Sequence, residues 1–113
     1  EVLWHVPTPE AKCAWGFARC ARAQPAAVTA MPGIVFSGSF DGHIRAYESS
    51  TGKIVWTYDT GQPHQAVDGS EARGGSIDFG GTVIADGTVY VNSGYGLWGQ
   101  IGHLLIAFSV DGK

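Results

Sequence analysis

The chain has 113 residues, of which 44% are hydrophobic, so it is long enough to bury a core. Glycine contributes 17 residues and charged residues only 15%, a composition that favours short strands and tight turns over amphipathic helices. The formal net charge is −3 with no basic run, which argues against nucleic-acid binding. No apolar stretch reaches the roughly 18 residues of a membrane-spanning helix, and no signal peptide is visible.

Two cysteines, Cys13 and Cys20, are separated by six residues. That spacing fits neither a zinc site nor a haem attachment motif. A local disulfide that closes a small loop is therefore predicted, with two free thiols as the alternative. A disulfide would place the protein in an oxidising compartment.

Short apolar runs with strand character alternate with turn clusters along the chain. They lie at about residues 26–30, 34–39, 43–47 and 53–58. Asp41-Gly42 is a strong hairpin dipeptide, and residues 48–52 form a second turn cluster. The pattern predicts a four-stranded antiparallel meander.

The unit recurs. Residues 33–36 are echoed by residues 87–90, an offset of 54, and residues 46–53 are echoed by residues 107–113. At the other end, residues 2–5 mirror residues 54–57. Four short strands repeating at this period indicate the blades of a β-propeller, in an all-β fold.

The repeat divides the chain into three parts. The last strand of one blade is expected at about residues 1–7, a complete blade at about 24–60 and three strands of another at about 76–113. Because the pattern begins inside a strand, we expect the C-terminal part of a longer propeller. A blade cannot bury both of its faces alone, so the isolated chain is expected to be poorly stable.

One stretch carries a family resemblance. The matching positions are Ala46, Glu48, Thr51, Gly52 and Trp56. They resemble the tryptophan-docking motif of dehydrogenases that use pyrroloquinoline quinone (PQQ), with Glu48 where that family usually has Asp. The resemblance implies that Trp4 and Trp56 pack between neighbouring blades, and that Ala46 is small because an indole lies against it.

The likeness extends over nearly the whole chain. Residues 33–47 resemble the last complete blade of PQQ alcohol dehydrogenases, followed in the family's order by Gly75-Ser76-Ile77 and by residues 90–98. Within the family it is greatest to the polyvinyl-alcohol dehydrogenase branch. This likeness rests on three segments: residues 13–16 together with Cys20, the turn at 38–42 and the last residues, 105–113.

The longest connections of the chain are expected on one face of the propeller, where the family holds its cofactor near the axis. By resemblance, Trp98 lies beside PQQ, and the alternative is a rim tryptophan that packs on the next blade. Ser76 and the amides near Gly75 could donate hydrogen bonds to the cofactor, although a simple tight turn also explains them. Asp78 is a candidate base or a plain strand start.

Other polar residues are expected to be structural. Asp41 is predicted to cap its turn, and the four histidines are predicted to be surface or turn residues without ligand spacing. Asp68 and Glu71 are expected to be solvated in a polar connection. The resemblance implies that the catalytic Asp and the Ca²⁺ ligands come from earlier blades. We therefore expect no catalytic or metal-binding residue in this chain, and we expect the isolated chain to be catalytically inactive.

The resemblance implies an enzyme: a periplasmic PQQ dehydrogenase that oxidises secondary, including polymeric, alcohols and passes electrons to a c-type cytochrome. The competing hypothesis is a non-enzymatic propeller, of the outer-membrane assembly type, that binds partner proteins. The connections on the cofactor face favour the enzyme.

Overall fold

The structure is a computed structural model that describes residues 1–13, 21–78, 80–96 and 98–109. These residues form β-strands and connections, and none of them builds a helix suited to crossing a membrane. The strands are β1 (Thr29–Met31), β2 (Ile34–Gly38), β3 (His43–Glu48), β4 (Ile54–Asp59), β5 (Pro63–Gln65), β6 (Glu71–Arg73), β7 (Val83–Ala85), β8 (Thr88–Ser93) and β9 (Leu104–Ser109).

The first sheet is the predicted meander. Strands β1 to β4 lie side by side in chain order, and each pair is antiparallel. Strand β1 starts at Thr29 rather than near Ala26, and the Pro32-Gly33 turn, with Gly33 at φ 84°, sets the register of its pairing with β2. The all-β, four-stranded prediction is confirmed.

The second sheet contains β7, β8 and β9, again antiparallel and in chain order. Asp86 and Gly87 both have positive φ, at 49° and 73°, as a two-residue hairpin turn that matches strand twist requires. Strands β8 and β9 pair from Thr88↔Ser109 to Ser93↔Leu104, so the connection between them is residues 94–103. The corresponding connection in the first sheet is only residues 39–42.

Between the sheets, the chain makes a small hairpin of β5 and β6. The sequence predicted a plain polar connection here. The expected solvent exposure of Asp68 and Glu71 is confirmed, because both lie at the surface. Asp68 caps the hairpin turn, accepting the Ser70 amide at 2.9 Å. Hydrogen bonds from Ser70 to its side chain lower the pKa of Asp68.

Residues 1–13 cross the first sheet without joining it as a strand. Among the described residues, no strand pairs with residues 1–7, and ladder pairing needs a neighbouring strand. At one end, the Trp4 indole Nε1 donates to the Ser49 carbonyl at 2.7 Å. At the other end, the Lys12 amide donates to Asp41 Oδ2 at 3.0 Å. The segment thus spans from the 48–52 turn to the 39–42 turn.

The apolar faces of the two sheets meet around aromatic rings. Phe108 of the second sheet lies edge-on to Trp56 and Tyr58, with ring centroids 5.0 and 4.9 Å apart. Ala46 is buried in the same cluster. An apolar cavity of about 500 Å³ lies beside these rings. Trp56 therefore packs against Phe108 of the second sheet.

Gly52 has φ 77°, and a side chain there would collide with the Trp4 indole. We expect Gly52→Ala to destabilise the full-length protein more than Gly69→Ala. Gly69 has a comparable φ of 88° but open space around it, so it carries only the backbone cost. That cost is about 1–2 kcal/mol, and overpacking adds about 1–3 kcal/mol at Gly52. Thermal and urea unfolding measure the difference, and equal destabilisation would show that Trp4 does not need this glycine.

Candidate functional site

Residues 74–78, here called the central strip, run between the two sheets. The Ile77 amide donates to the Ser39 carbonyl at 3.0 Å, and the Ser76 hydroxyl donates to the Phe40 carbonyl at 2.5 Å. A side chain on Gly38 would collide with Ile77, so this glycine lets the strip pass close to β2. The strip is therefore fixed to the end of the first sheet.

The long loop, residues 94–103, holds the strip from the other side. The Ser76 amide donates to the Gln100 carbonyl, and the Gln100 amide donates back to the Ser76 hydroxyl at 2.8 Å. Farther along, Gly94 donates to the Ser76 carbonyl and His103 donates to the Arg73 carbonyl. The polar groups of Ser76 are thus used within the protein, and they fix the loop.

Asp78 ends the strip and is 5% exposed. Its Oδ2 accepts the backbone amides of Trp98 and Gly99 at 3.3 and 3.1 Å. Its Oδ1 is buried and has no hydrogen-bond partner. A side chain at Gly96 would collide with this carboxylate, so the glycine allows the loop to close over it. Asp78 lies in a connection and not at the strand start that the sequence suggested.

The three residues proposed from the sequence to contact a cofactor lie in this region but differ in what they offer. Trp98 is 62% exposed on the long loop, so its ring faces solvent over much of its surface. The Gly75 amide donates to the Ser93 hydroxyl at 2.8 Å, and that hydroxyl donates to the Gly75 carbonyl. Gly75 and Ser76 therefore support the loop that carries Trp98.

A second polar cluster surrounds Asp41, which is 2% exposed. Its Oδ1 accepts the His43 amide at 3.1 Å, the turn-capping bond that the sequence predicted. Oδ1 also accepts the Ser39 hydroxyl, and Oδ2 accepts Arg45 Nη2 at 3.3 Å. The sequence prediction for His43 was wrong, because this residue is buried on β3, with Nδ1 3.3 Å from Asp41 Oδ1.

The cluster has a sequence signal that the prediction overlooked. His43 and Arg45 are alternate residues of β3 and so face the same way, and Ser39 and Asp41 precede them in the 39–42 connection. Burial opposes ionisation of Asp41, but the bonds from His43, Ser39 and the Lys12 amide outweigh it and hold the pKa of this carboxyl well below its usual range. Through the bond from the Lys12 amide, the cluster anchors residues 1–13 to the first sheet.

Comparisons with known proteins agree with this architecture. No family model matches the chain. It is 47% identical over 121 residues to a polyvinylalcohol dehydrogenase of Pseudomonas sp, covering 98% of this chain, and 43% identical over 125 residues to one of Sphingopyxis sp. (strain 113P3), covering all of it. The chain spans 19% of the length of each.

Two more distant proteins match as well. The dehydrogenase subunit of a quinone alcohol dehydrogenase from Komagataeibacter europaeus is 32% identical over 81 residues, which are 72% of this chain and 11% of that protein. The solved structure of BamB from Moraxella catarrhalis aligns with a TM-score of 0.52 at 23% identity, covering 80% of this chain and 25% of that one.

Antiparallel sheets stacked in this way, together with the likeness to BamB, a β-propeller, define the class: these are β-propeller blades. The sequence relatives narrow the assignment further. The chain belongs to the family of PQQ-type alcohol dehydrogenases, so the resemblance read from the docking motif is confirmed.

Replacing Gly96 with Ala is expected to free the long loop, because the new side chain would displace the Asp78 carboxylate. In the full-length protein, the amides of Trp98, Gly99 and Gln100 should exchange with solvent at least about tenfold faster, the loss of about 1.4 kcal/mol of protection. Hydrogen exchange read by mass spectrometry measures this. Gly80→Ala is the control, since a side chain there meets nothing within 4 Å. Unchanged exchange in Gly96→Ala would contradict the contact.

Replacing Asp41 with Asn tests the buried charge. Its native pKa lies below the ordinary 3.8, so the carboxylate stabilises the fold above about pH 4 and loses that contribution as the pH falls further. We expect Asp41→Asn to cost about 3 kcal/mol at pH 7, leaving Arg45 without its partner, and to flatten the decline of stability between about pH 4 and pH 2. Unfolding at several pH values measures both. The exposed Asp86→Asn is the control, and an unchanged acid profile in Asp41→Asn would refute the assignment.

Proposed function

We propose that this chain is part of a PQQ-dependent dehydrogenase that oxidises secondary alcohols, including polymeric ones such as polyvinyl alcohol. The observation that carries the proposal is the 47% and 43% identity, over essentially the whole chain, to two polyvinylalcohol dehydrogenases. Because the chain spans 19% of those proteins, the activity belongs to the complete protein. We propose that the isolated chain is inactive.

Trp98 fits a cofactor contact better than the other two candidates. Its ring is largely exposed, and the loop that carries it is held by the bonds to Asp78 and Ser76. An aromatic surface held in this way suits stacking against a planar quinone. Gly75 and Ser76, whose donors are used within the protein, would shape the site without binding the cofactor directly.

When bound, PQQ supplies a quinone that accepts the hydride of the alcohol carbon. The residues of this chain would contribute binding and orientation at the cofactor face. The described residues contain no group of three or more His, Cys, Asp or Glu that could hold a metal ion. We propose that the Ca²⁺ ligands and the catalytic Asp belong to earlier blades.

Three further features complete the proposal. The blades are the last strand of one at residues 1–7, a complete one at 24–60 and a partial one at 76–113, ranges that contain the two observed sheets. Electrons pass to a c-type cytochrome in the periplasm. Cys13 and Cys20 form a disulfide there. Cys13 is not a free thiol, while Cys20 lies outside the described residues.

The second candidate function is a non-enzymatic scaffold that binds proteins. The likeness to BamB concerns the fold alone, because only 23% of the aligned residues are identical. Identity to the dehydrogenases is about twice as high and extends over more of the chain, which favours the enzyme.

The decisive test adds PQQ and Ca²⁺ to the full-length protein and follows reduction of an artificial electron acceptor with secondary alcohols. We expect PQQ-dependent activity, and a loss of at least about tenfold in PQQ affinity in Trp98→Ala if the ring stacks on the cofactor. Tyr95→Ala is the matched control, because Tyr95 is another exposed aromatic residue of the same loop. Absence of both activity and PQQ binding would favour the scaffold.

A further inference from the structure

The apolar cavity between the two sheets has a volume of about 500 Å³, and both sheets form its walls. The first sheet contributes the rings of Phe36, Trp56 and Tyr58, and the second contributes Phe108 and Val89. An unfilled space in a core destabilises the fold in proportion to its volume, and an apolar cavity of about 150 Å³ is already large enough to bind benzene. A space of this size therefore calls for an occupant.

The walls of the cavity determine the charge of that occupant. Among the described residues no charged side chain lines the cavity, and the polar side chains that do are Tyr58 and Ser109. The Tyr58 hydroxyl lies 2.8 Å from His64 Nε2, so its hydrogen bond is made within the protein. An ion that entered between these walls would lose its hydration without gaining a partner. The cavity therefore selects an uncharged, apolar molecule.

The rings and the spacing of the sheets determine the shape of the occupant. Phe108 lies edge-on to Trp56 and Tyr58, with interplanar angles of 80° and 71°. Aromatic rings attract a further ring in edge-to-face or offset-stacked geometry. Stacked sheets lie about 10 Å apart, so the space between them is a slot that suits a flat molecule. A planar aromatic molecule meets both conditions.

We propose that this cavity is a binding site for an uncharged planar aromatic molecule, separate from the cofactor face. Two lining residues, Met31 and Val55, are 42% and 48% exposed, which gives a ligand a route from solvent. They lie at the end of the first sheet that carries the 48–52 turn, and Ser109 lies at the near end of β9. The long loop with Trp98 connects the opposite ends of β8 and β9. The inference therefore does not depend on the proposed function.

The test compares two fluorescent probes with the same rings in the full-length protein. N-phenyl-1-naphthylamine is uncharged, whereas 8-anilino-1-naphthalenesulfonate carries one negative charge, and titration of either is followed by its fluorescence. The wild type should bind the neutral probe at least about tenfold more tightly, because the cavity has no partner for the sulfonate. Val89→Phe fills the cavity and should weaken neutral-probe binding at least about tenfold. Val83→Phe, the same change at an exposed residue on the other face of the second sheet, should retain it.

Two further variants make the result decisive. Val55→Phe narrows the opening and replaces Val89→Phe if that variant does not fold, and Trp98→Ala should leave neutral-probe binding unchanged because the cofactor face is not involved. Equal binding of the two probes, or neutral-probe binding that survives the cavity substitutions, would overturn the proposal. So would absence of neutral-probe binding in the wild type, which would show that another part of the protein or a second copy fills the space. No oxidation is measured, so failure of the dehydrogenase assay leaves this result unaffected.

Discussion

The hydrogen bonds of residues 74–78 hold the rest of the structure in place. This strip has no ladder partner, yet Ser76 bonds on one side to Phe40 at the end of the first sheet and on the other to Gln100 of the long loop. The packing of the two sheets is apolar and non-directional. The strip supplies the directional contacts, and so it fixes where the loop and Trp98 lie relative to the first sheet.

Two tryptophans, Trp4 and Trp56, join neighbouring units of the chain, and they do so through different interactions. Trp4 lies against Gly52 and donates to Ser49, which joins an indole to a turn. Trp56 stacks on Tyr58 of its own strand and packs edge-on against Phe108, which joins it to the face of the next sheet. In each case a tryptophan from one unit covers the next. This arrangement meets the need of a sheet with two apolar faces to be covered on both.

The repeated elements of the fold could be predicted from the sequence. Strand order, the turn at Asp41-Gly42 and the aromatic positions follow from alternation and turn chemistry, which are local. The sequence did not predict the side-chain roles that depend on contacts between residues in different parts of the fold. Ser76 was expected either to donate to a ligand or to belong to a simple tight turn, and its groups are used by Phe40 and Gln100, residues distant in the chain. His43 was expected at the surface because its alternation with Arg45 on β3, which places both side chains on one face beside Asp41, was overlooked.

The two buried aspartates show how the same residue type takes different roles. Asp41 has donors at both oxygens, from the His43 amide, the Ser39 hydroxyl and the Lys12 amide, so its charge is fully compensated and it has nothing left to bind. Asp78 has donors at one oxygen only. Burying a charge is tolerated when it is paired and costly when it is not. Asp78 therefore holds the long loop through one oxygen and keeps the other buried beneath Gly96, whereas Asp41 is satisfied at both oxygens and holds the 39–42 turn.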